Sequence, residues 1–281
     1  MLQAHPWRRP WLKHISSISS WLVATSRMKS VQNRSTLYIQ PLRWLWLSNR
    51  RDGSRQEEIV CSAYATAQYL KQQQFSKKVY ILGASGIASE LDKVGIAHTG
   101  VGPEHQMGDL VAMEKVIRLE PDVEAVVVGF DPHLSFPKIV RAVSHLQHPD
   151  CLFIATNTDV WFPKGGSNLL IPGAGCMVSC VETVVERPPL VIGKPSKNMF
   201  TLLNEKHQLQ ASRTLMIGDC SNTDILFGKN SNLQTMLVLT GVTTMEDLEE
   251  YASSLDEEKH KLLPDFYLPR LDDIINLLRD F

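Results

Sequence analysis

The chain has 281 residues, 43% apolar and 21% charged, which is enough for one large α/β domain or two modest ones with real cores. Ordinary Gly, Pro and charge contents exclude disordered, collagen-like and coiled-coil classes, and no apolar run reaches the roughly 18 residues of a membrane-spanning helix. The net charge of −1 hides a split: residues 1–51 carry nine Lys/Arg and no acid, leaving 20 bases against 30 acids in the remainder.

Taken in chain order, the N-terminal stretch reads unlike the rest. Trp7, Trp11, Trp21, Trp44 and Trp46 all fall in it, only Trp161 lies elsewhere, and Asp52 is the first acid in the chain. Three readings stand side by side: sequence foreign to the fold, a mitochondrial transit peptide, or a basic binding arm. The apolar run Ser20–Ala24 is too short for a secretory signal core. Tryptophans scattered without a repeat do not make a base-stacking module, so neither nucleic acid nor membrane is an expected partner. The expected compartment is cytoplasmic, with mitochondria the alternative if the basic stretch is a transit peptide.

From residue 58 the periodicity becomes regular. Glu58–Gln73 predicts a helix with Val60, Ala63, Ala67 and Leu70 on one face. A strand at Lys78–Leu82 ends in Gly83-Ala84-Ser85-Gly86, and a helix follows to Leu91. A helix over Asp109–Glu120, a β-branched strand over Val123–Gly129 and a helix over Ser135–His148 come next, the last with Phe136, Ile139, Val140 and Val143 on one face. Leu152–Ala155 is a strand, and a helix runs through Met177, Val181 and Val184 to Glu186. Pro188–Ile192 leads into Gly193-Lys194-Pro195-Ser196, and a helix spans Lys197–Gln208. The strand Thr214–Ile217 runs into Gly218-Asp219. A helix, a strand at Thr235–Leu239, a helix at Met245–Tyr251 and a closing helix at 270–280 end the series. Alternating strands and helices argue for parallel sheet covered by helices.

Five cysteines, an odd number in a long chain, fit a reducing compartment. Cys176 and Cys180 share a helical spacing, as do His145 and His148, but neither pair has the further ligands a zinc set needs. They are read as structural cysteines and surface histidines.

In open parallel sheets, ligands sit beyond the carboxyl ends of the strands. Two loops place charges there: Lys194 after Leu190–Ile192, and Asp219 after Thr214–Ile217 with Asp224 five residues on. A lysine suits a phosphate as a point charge. Carboxylates at a strand end suit Mg²⁺, which takes oxygen ligands and keeps several waters. Together they point to phosphoryl chemistry.

Gly193-Lys194-Pro195-Ser196 followed by Gly218-Asp219-Cys220-Ser221-Asn222-Thr223-Asp224-Ile225 resembles two motifs of the haloacid dehalogenase superfamily phosphatases. Ser62–Ala67, Val127–His133, Thr240-Gly241-Val242 and Pro264–Tyr267 are similar to its phosphoglycolate and pyridoxal-phosphate phosphatase branch, often called 4-nitrophenylphosphatases. The resemblance covers residues 58–281. It implies an α/β fold with a Rossmann-like core, incomplete at the N-terminus, and an inserted C2-type α/β cap. The implied division is 1–57 as an atypical basic, Trp-rich segment, 58–77 as residual core, 78–187 as cap and 188–281 as the C-terminal half of the core. It further implies Mg²⁺ as cofactor, a small phosphorylated metabolite as partner, and a homodimer formed through the cap.

By that resemblance Lys194 stabilises the phosphate and the covalent intermediate, Asp219 holds Mg²⁺ and Asp224 supports the metal site. Ser48-Asn49 is similar to the family's phosphate-binding Thr-Asn. The family's Gly-Asp-Arg-Leu-Asp-Thr-Asp run is altered, with Cys220 at the Arg position and Asn222 at the middle Asp. The larger departure is the Asp-x-Asp-Gly run of the first core strand, whose two aspartates are nucleophile and acid/base partner. No Asp precedes Asp52, so the core sheet is expected to lack that strand and the chain to have little or no turnover. Substrate choice falls to the cap loop Thr156–Pro163. There Phe162 replaces the His of the pyridoxal-phosphate-selective members, which favours phosphoglycolate or glycerol-3-phosphate.

Overall fold

A computed structural model of the chain describes residues 20–24, 36–39, 59–104, 108–161, 169–271 and 273. The strands in chain order are β1 (Ser20–Ala24), β2 (Thr36–Ile39), β3 (Ile59–Val60), β4 (Lys78–Leu82), β5 (Val123–Val128), β6 (Leu152–Ala155), β7 (Leu190–Val191), β8 (Thr214–Gly218), β9 (Gln234–Val238) and β10 (Phe266–Leu268). The helices are α1 (Ser62–Gln72), α2 (Ser85–Lys93), α3 (Leu110–Val116), α4 (Phe136–Leu146), α5 (Ala174–Val185), α6 (Asn198–His207), α7 (Leu226–Asn230), α8 (Met245–Ser253) and α9 (Glu257–His260). Two compact units result, one of Met1–Val60 with Leu203–Phe281, the other of Cys61–Leu202. Among the described residues no helix is long and apolar enough to cross a membrane.

The middle unit is a parallel sheet in chain order, β4-β5-β6-β7. Side chains alternate across a strand. Tyr80, Leu82, Val126, Val128, Phe153 and Ala155 therefore share one face, packed with Ala142 and Leu146 of α4 and Met177, Val178 and Val181 of α5. The alternate residues Val79, Ile81, Ala125, Val127 and Ile154 are buried as well. A parallel sheet covered on both faces has this signature, and it explains why Val126-Val127-Val128 reads as a continuous apolar run. Beyond β5 lies a buried ion pair, Lys138 Nζ to Asp131 Oδ2 at 2.7 Å. The other Asp131 oxygen accepts the His133 N–H at 2.8 Å, and the Tyr80 hydroxyl donates to the Lys138 carbonyl at 3.2 Å. The hydrogen bond on the second carboxylate oxygen offsets part of the desolvation that such a pair costs.

The other unit is a six-stranded sheet in the order β10-β9-β8-β1-β2-β3, with every pair parallel. This corrects the expectation that the core sheet lacks its first strand: two stretches of the basic N-terminal segment take places in it, and β1 lies between β8 and β2. The remaining differences from the sequence reading are local. Glu58–Gln73 is not one helix, because the β-branched pair Ile59-Val60 forms β3 and the helix starts at Ser62, its Tyr64 N–H capped by Cys61 Sγ at 3.4 Å. The helix from Asp109 stops at Val116, and Ile117 is extended. Phe136 stands 51% exposed instead of in the α4 core. His145 is buried rather than on the surface, its ring 5.5 Å from that of Tyr80, and burial lowers its pKa. The closing helix at 270–280 falls almost wholly outside the described residues.

The strand β10 was not anticipated, and Asp265 explains how three residues hold an edge. Its carboxylate accepts the Thr235 N–H at 2.9 Å, the Thr235 hydroxyl at 2.8 Å and Lys229 Nζ at 2.6 Å. Thr235 is fully buried, whereas the Lys229 contact is half open to solvent and contributes little. Asp265→Ala is therefore expected to lower unfolding free energy by about 2 kcal/mol. A urea midpoint unchanged from the native chain would refute that role.

Candidate active site

The strand order of the six-stranded sheet reverses between β8 and β1. From β1 the chain proceeds outward through β2 to β3, and from β8 outward through β9 to β10. In open parallel sheets the crevice at such a switch point, beyond the carboxyl ends, is where ligands bind. The two strand ends there are level, with Ala24 opposite Gly218. Asp219 is the next residue after β8, and it is buried.

Two glycines make room for the carboxylates. A Cβ on Gly241 would run into the Asp219 carboxylate, and a Cβ on Gly218 would run into the Asp224 side chain. Asp224 lies across the start of the loop, its Oδ2 accepting the N–H groups of Asp219 at 3.0 Å and Cys220 at 3.1 Å. Between them the backbone makes a π-type turn over Ser221–Ile225, closed by the Ile225 N–H to the Cys220 carbonyl at 3.3 Å. Such wide turns are rare and recur at functional sites. The loop after β9 closes the other side: the Val242 and Thr243 N–H groups donate to the Asp219 carbonyl at 3.1 and 3.0 Å. Thr243 Oγ1 accepts the Ser221 N–H at 2.8 Å. Cys220 is partly buried, and burial first, then the Asp224 charge, raises its thiol pKa. It stays neutral near pH 7 and adds no negative charge beside the carboxylates.

Lys194 belongs to the other unit, where β7 meets the end of β6. The Gly193 N–H donates to the Thr156 carbonyl at 2.9 Å, and a Cβ on Gly193 would collide with that same carbonyl. Only glycine lets the two strand ends lie this close. The Ser196 N–H returns to the Gly193 carbonyl at 3.0 Å, and Asn198 Nδ2 reaches the Val191 carbonyl at 3.0 Å. The turn carrying Lys194, itself buried, is thus tied at both ends. The adjoining cap loop is fixed on the start of α5: the Gly173 and Gly175 N–H groups donate to the carbonyls of Val160 and Asp159, both at 2.8 Å. Trp161 is 42% exposed. Phe162 and Pro163 lie outside the described residues.

Of the residues named from sequence, Asp219 and Asp224 come together directly, Lys194 stands in the other unit, and Ser48 and Asn49 lie outside the described residues. Asp224 acts here on the backbone, with Oδ2 engaged by two N–H groups. Among the described residues no third His, Cys, Asp or Glu gathers with these two. The donors nonetheless fit Mg²⁺: a buried carboxylate at a strand end, in a cradle kept open by glycine, leaves the remaining ligands to water and ligand oxygens, as Mg²⁺ prefers. Thr243 and Gly241 were missed as site residues. The signal for Gly241 is the run Thr240-Gly241-Val242, and Thr243 lies one residue beyond it.

Two family models match, "Haloacid dehalogenase-like hydrolase" over residues 52–97 and "HAD-hydrolase-like" over residues 191–273. The glycerol-3-phosphate phosphatase of Rattus norvegicus is 39% identical over 247 residues, 87% of this chain and 77% of the relative. Phosphoglycolate phosphatase 2 of Arabidopsis thaliana is 41% identical over 231 residues, 79% of this chain and 72% of the relative. Among solved structures, the p-nitrophenyl phosphatase from Archaeoglobus fulgidus superposes with a TM-score of 0.68 at 26% identity, covering 86% of each chain.

Proposed function

The chain belongs to the haloacid dehalogenase-like hydrolases, and from that premise we propose that it binds small phosphate monoesters of the glycerol-3-phosphate or phosphoglycolate type with Mg²⁺, without hydrolysing them. The reading is supported above all by β1. This strand takes the place beside β8, and its sequence continues Thr25-Ser26-Arg27-Met28, where the family resemblance calls for Asp-x-Asp-Gly. Lys194 is the cation for the phosphate, and Asp219 is the carboxylate for the metal. Bound Mg²⁺ supplies positive charge to phosphoryl oxygens. With no carboxylate nucleophile the covalent route is closed, and uncatalysed monoester hydrolysis is among the slowest of biological reactions. The names of the two relatives support the ester class.

Calorimetric titration of the full chain with glycerol-3-phosphate and with phosphoglycolate, with and without Mg²⁺, tests this alongside a phosphate-release assay. Ester binding is expected only with Mg²⁺, with no phosphate released. Lys194→Met is expected to weaken it by roughly tenfold or more, the worth of one charge-assisted hydrogen bond. Binding indifferent to Mg²⁺, or steady release of phosphate, overturns the reading.

A further inference from the structure

The loop that follows β9 bears on Asp219 from a direction the carboxylate motif does not predict. Thr243 is 4% exposed. It touches the Asp219–Ser221 segment twice, through its N–H to the Asp219 carbonyl at 3.0 Å and through Oγ1, which accepts the Ser221 N–H at 2.8 Å. The Val242 N–H takes the second position on the Asp219 carbonyl, and Gly241 leaves the space that the Asp219 carboxylate fills. Asp224 fixes the same segment from the opposite side through the Asp219 and Cys220 N–H groups. The backbone on either side of the Asp219 side chain is therefore clamped by two separate elements. One clamp is a carboxylate within the motif, and the other is a threonine about twenty residues further along the chain.

We propose that Thr243 is a positioning residue for Asp219, setting the direction of its carboxylate and hence the affinity for Mg²⁺. The inference rests on the reading that Asp219 holds the metal. Groups that orient a ligand typically change metal affinity by about ten- to a hundredfold when removed. Thr243 acts through backbone and not through the ligand side chain, so it belongs at the lower end of that range. The hydroxyl is the operative group, because the N–H contact survives any substitution except proline.

The test is Mg²⁺ titration of the full chain by calorimetry, with the urea midpoint of each variant measured without metal. Thr243→Val keeps the shape and removes the acceptor, and its Mg²⁺ affinity is expected to fall roughly tenfold. Thr243→Ser restores the hydroxyl and is expected to bind within about threefold of the native chain. Should Thr243→Val not fold, Thr243→Ala removes the same hydroxyl without placing a second methyl in the pocket and carries the same expectation. Native Mg²⁺ affinity in the folded Val or Ala variant overturns the proposal, whatever its urea midpoint. So does a Ser variant as weak as the Val variant. Asp219→Asn separates the two levels: if it binds Mg²⁺ like the native chain, the metal reading itself fails. If it loses Mg²⁺ while Thr243→Val does not, only the role of Thr243 fails.

Discussion

Replacing Thr25 and Arg27 by Asp and Met28 by Gly is expected to raise phosphate release from small monoesters, in Mg²⁺, by roughly 10⁴-fold or more over the unaltered chain. The size follows from what a missing nucleophile costs an otherwise assembled hydrolase. The position follows from the sheet. β1 and β8 are parallel and level, with Ala24 opposite Gly218. Thr25 follows Ala24 in sequence as Asp219 follows Gly218. By the family resemblance, an aspartate at 25 would be the attacking carboxylate and one at 27 the acid/base partner. If Asp219 holds the metal as proposed, adding Asp219→Asn to the triple variant removes the gain. A phosphate-release assay on the triple variant decides the matter. No gain in a folded triple variant would mean that β1 does not stand where the nucleophile strand belongs.

The second large effect concerns stability. Asp224→Ala is expected to lower unfolding free energy by about 3 kcal/mol, since it strips the acceptor from two N–H groups at Asp219 and Cys220. Each buried donor left unpaired costs roughly 1–3 kcal/mol. Asp224→Asn retains an oxygen acceptor of the same size and is expected to cost only about 1 kcal/mol, the difference between a charged and a neutral acceptor. Urea unfolding of the two variants checks the order as well as the size. Equal losses would show that the negative charge, and not the acceptor, is what the loop requires.

The middle sheet was legible because its strands pair in the order in which they are read. Lys78–Leu82, Val123–Val128 and Leu152–Ala155 announce themselves by β-branched apolar runs, and neighbours in sequence are neighbours in space. Asp219 was legible for a related reason, as a carboxylate directly after a buried strand. β1 was not. Ser20–Ala24 is a five-residue apolar run in a basic context, and nothing local reveals that its partner, Thr214–Gly218, lies some 190 residues away. β10 was hidden by its length of three residues between Pro264 and Pro269. The resemblance places Asp224 in support of the metal site, and its Oδ2 accepts two backbone N–H groups. That backbone role depends on the π-type turn, which no spacing rule contains. Thr243 stands one residue beyond the run that carried the likeness, so only its hydrogen bonds identify it.

The central place of β1 has a consequence for the order in which the molecule assembles. The sheet β4-β5-β6-β7 joins strands that follow one another in the chain, and all four are synthesised before β8. The six-stranded sheet cannot do this. Its middle pair joins the start of the chain to a strand synthesised long afterwards, and the entropy of that closure must be met before any of the pair's contacts form. Until then β1 is paired on one flank only, with β2, and presents an unpaired edge of the kind that seeks other chains. The switch-point crevice therefore cannot form until β8 has been made, and a chain stalled before then carries its aggregation hazard in its first forty residues.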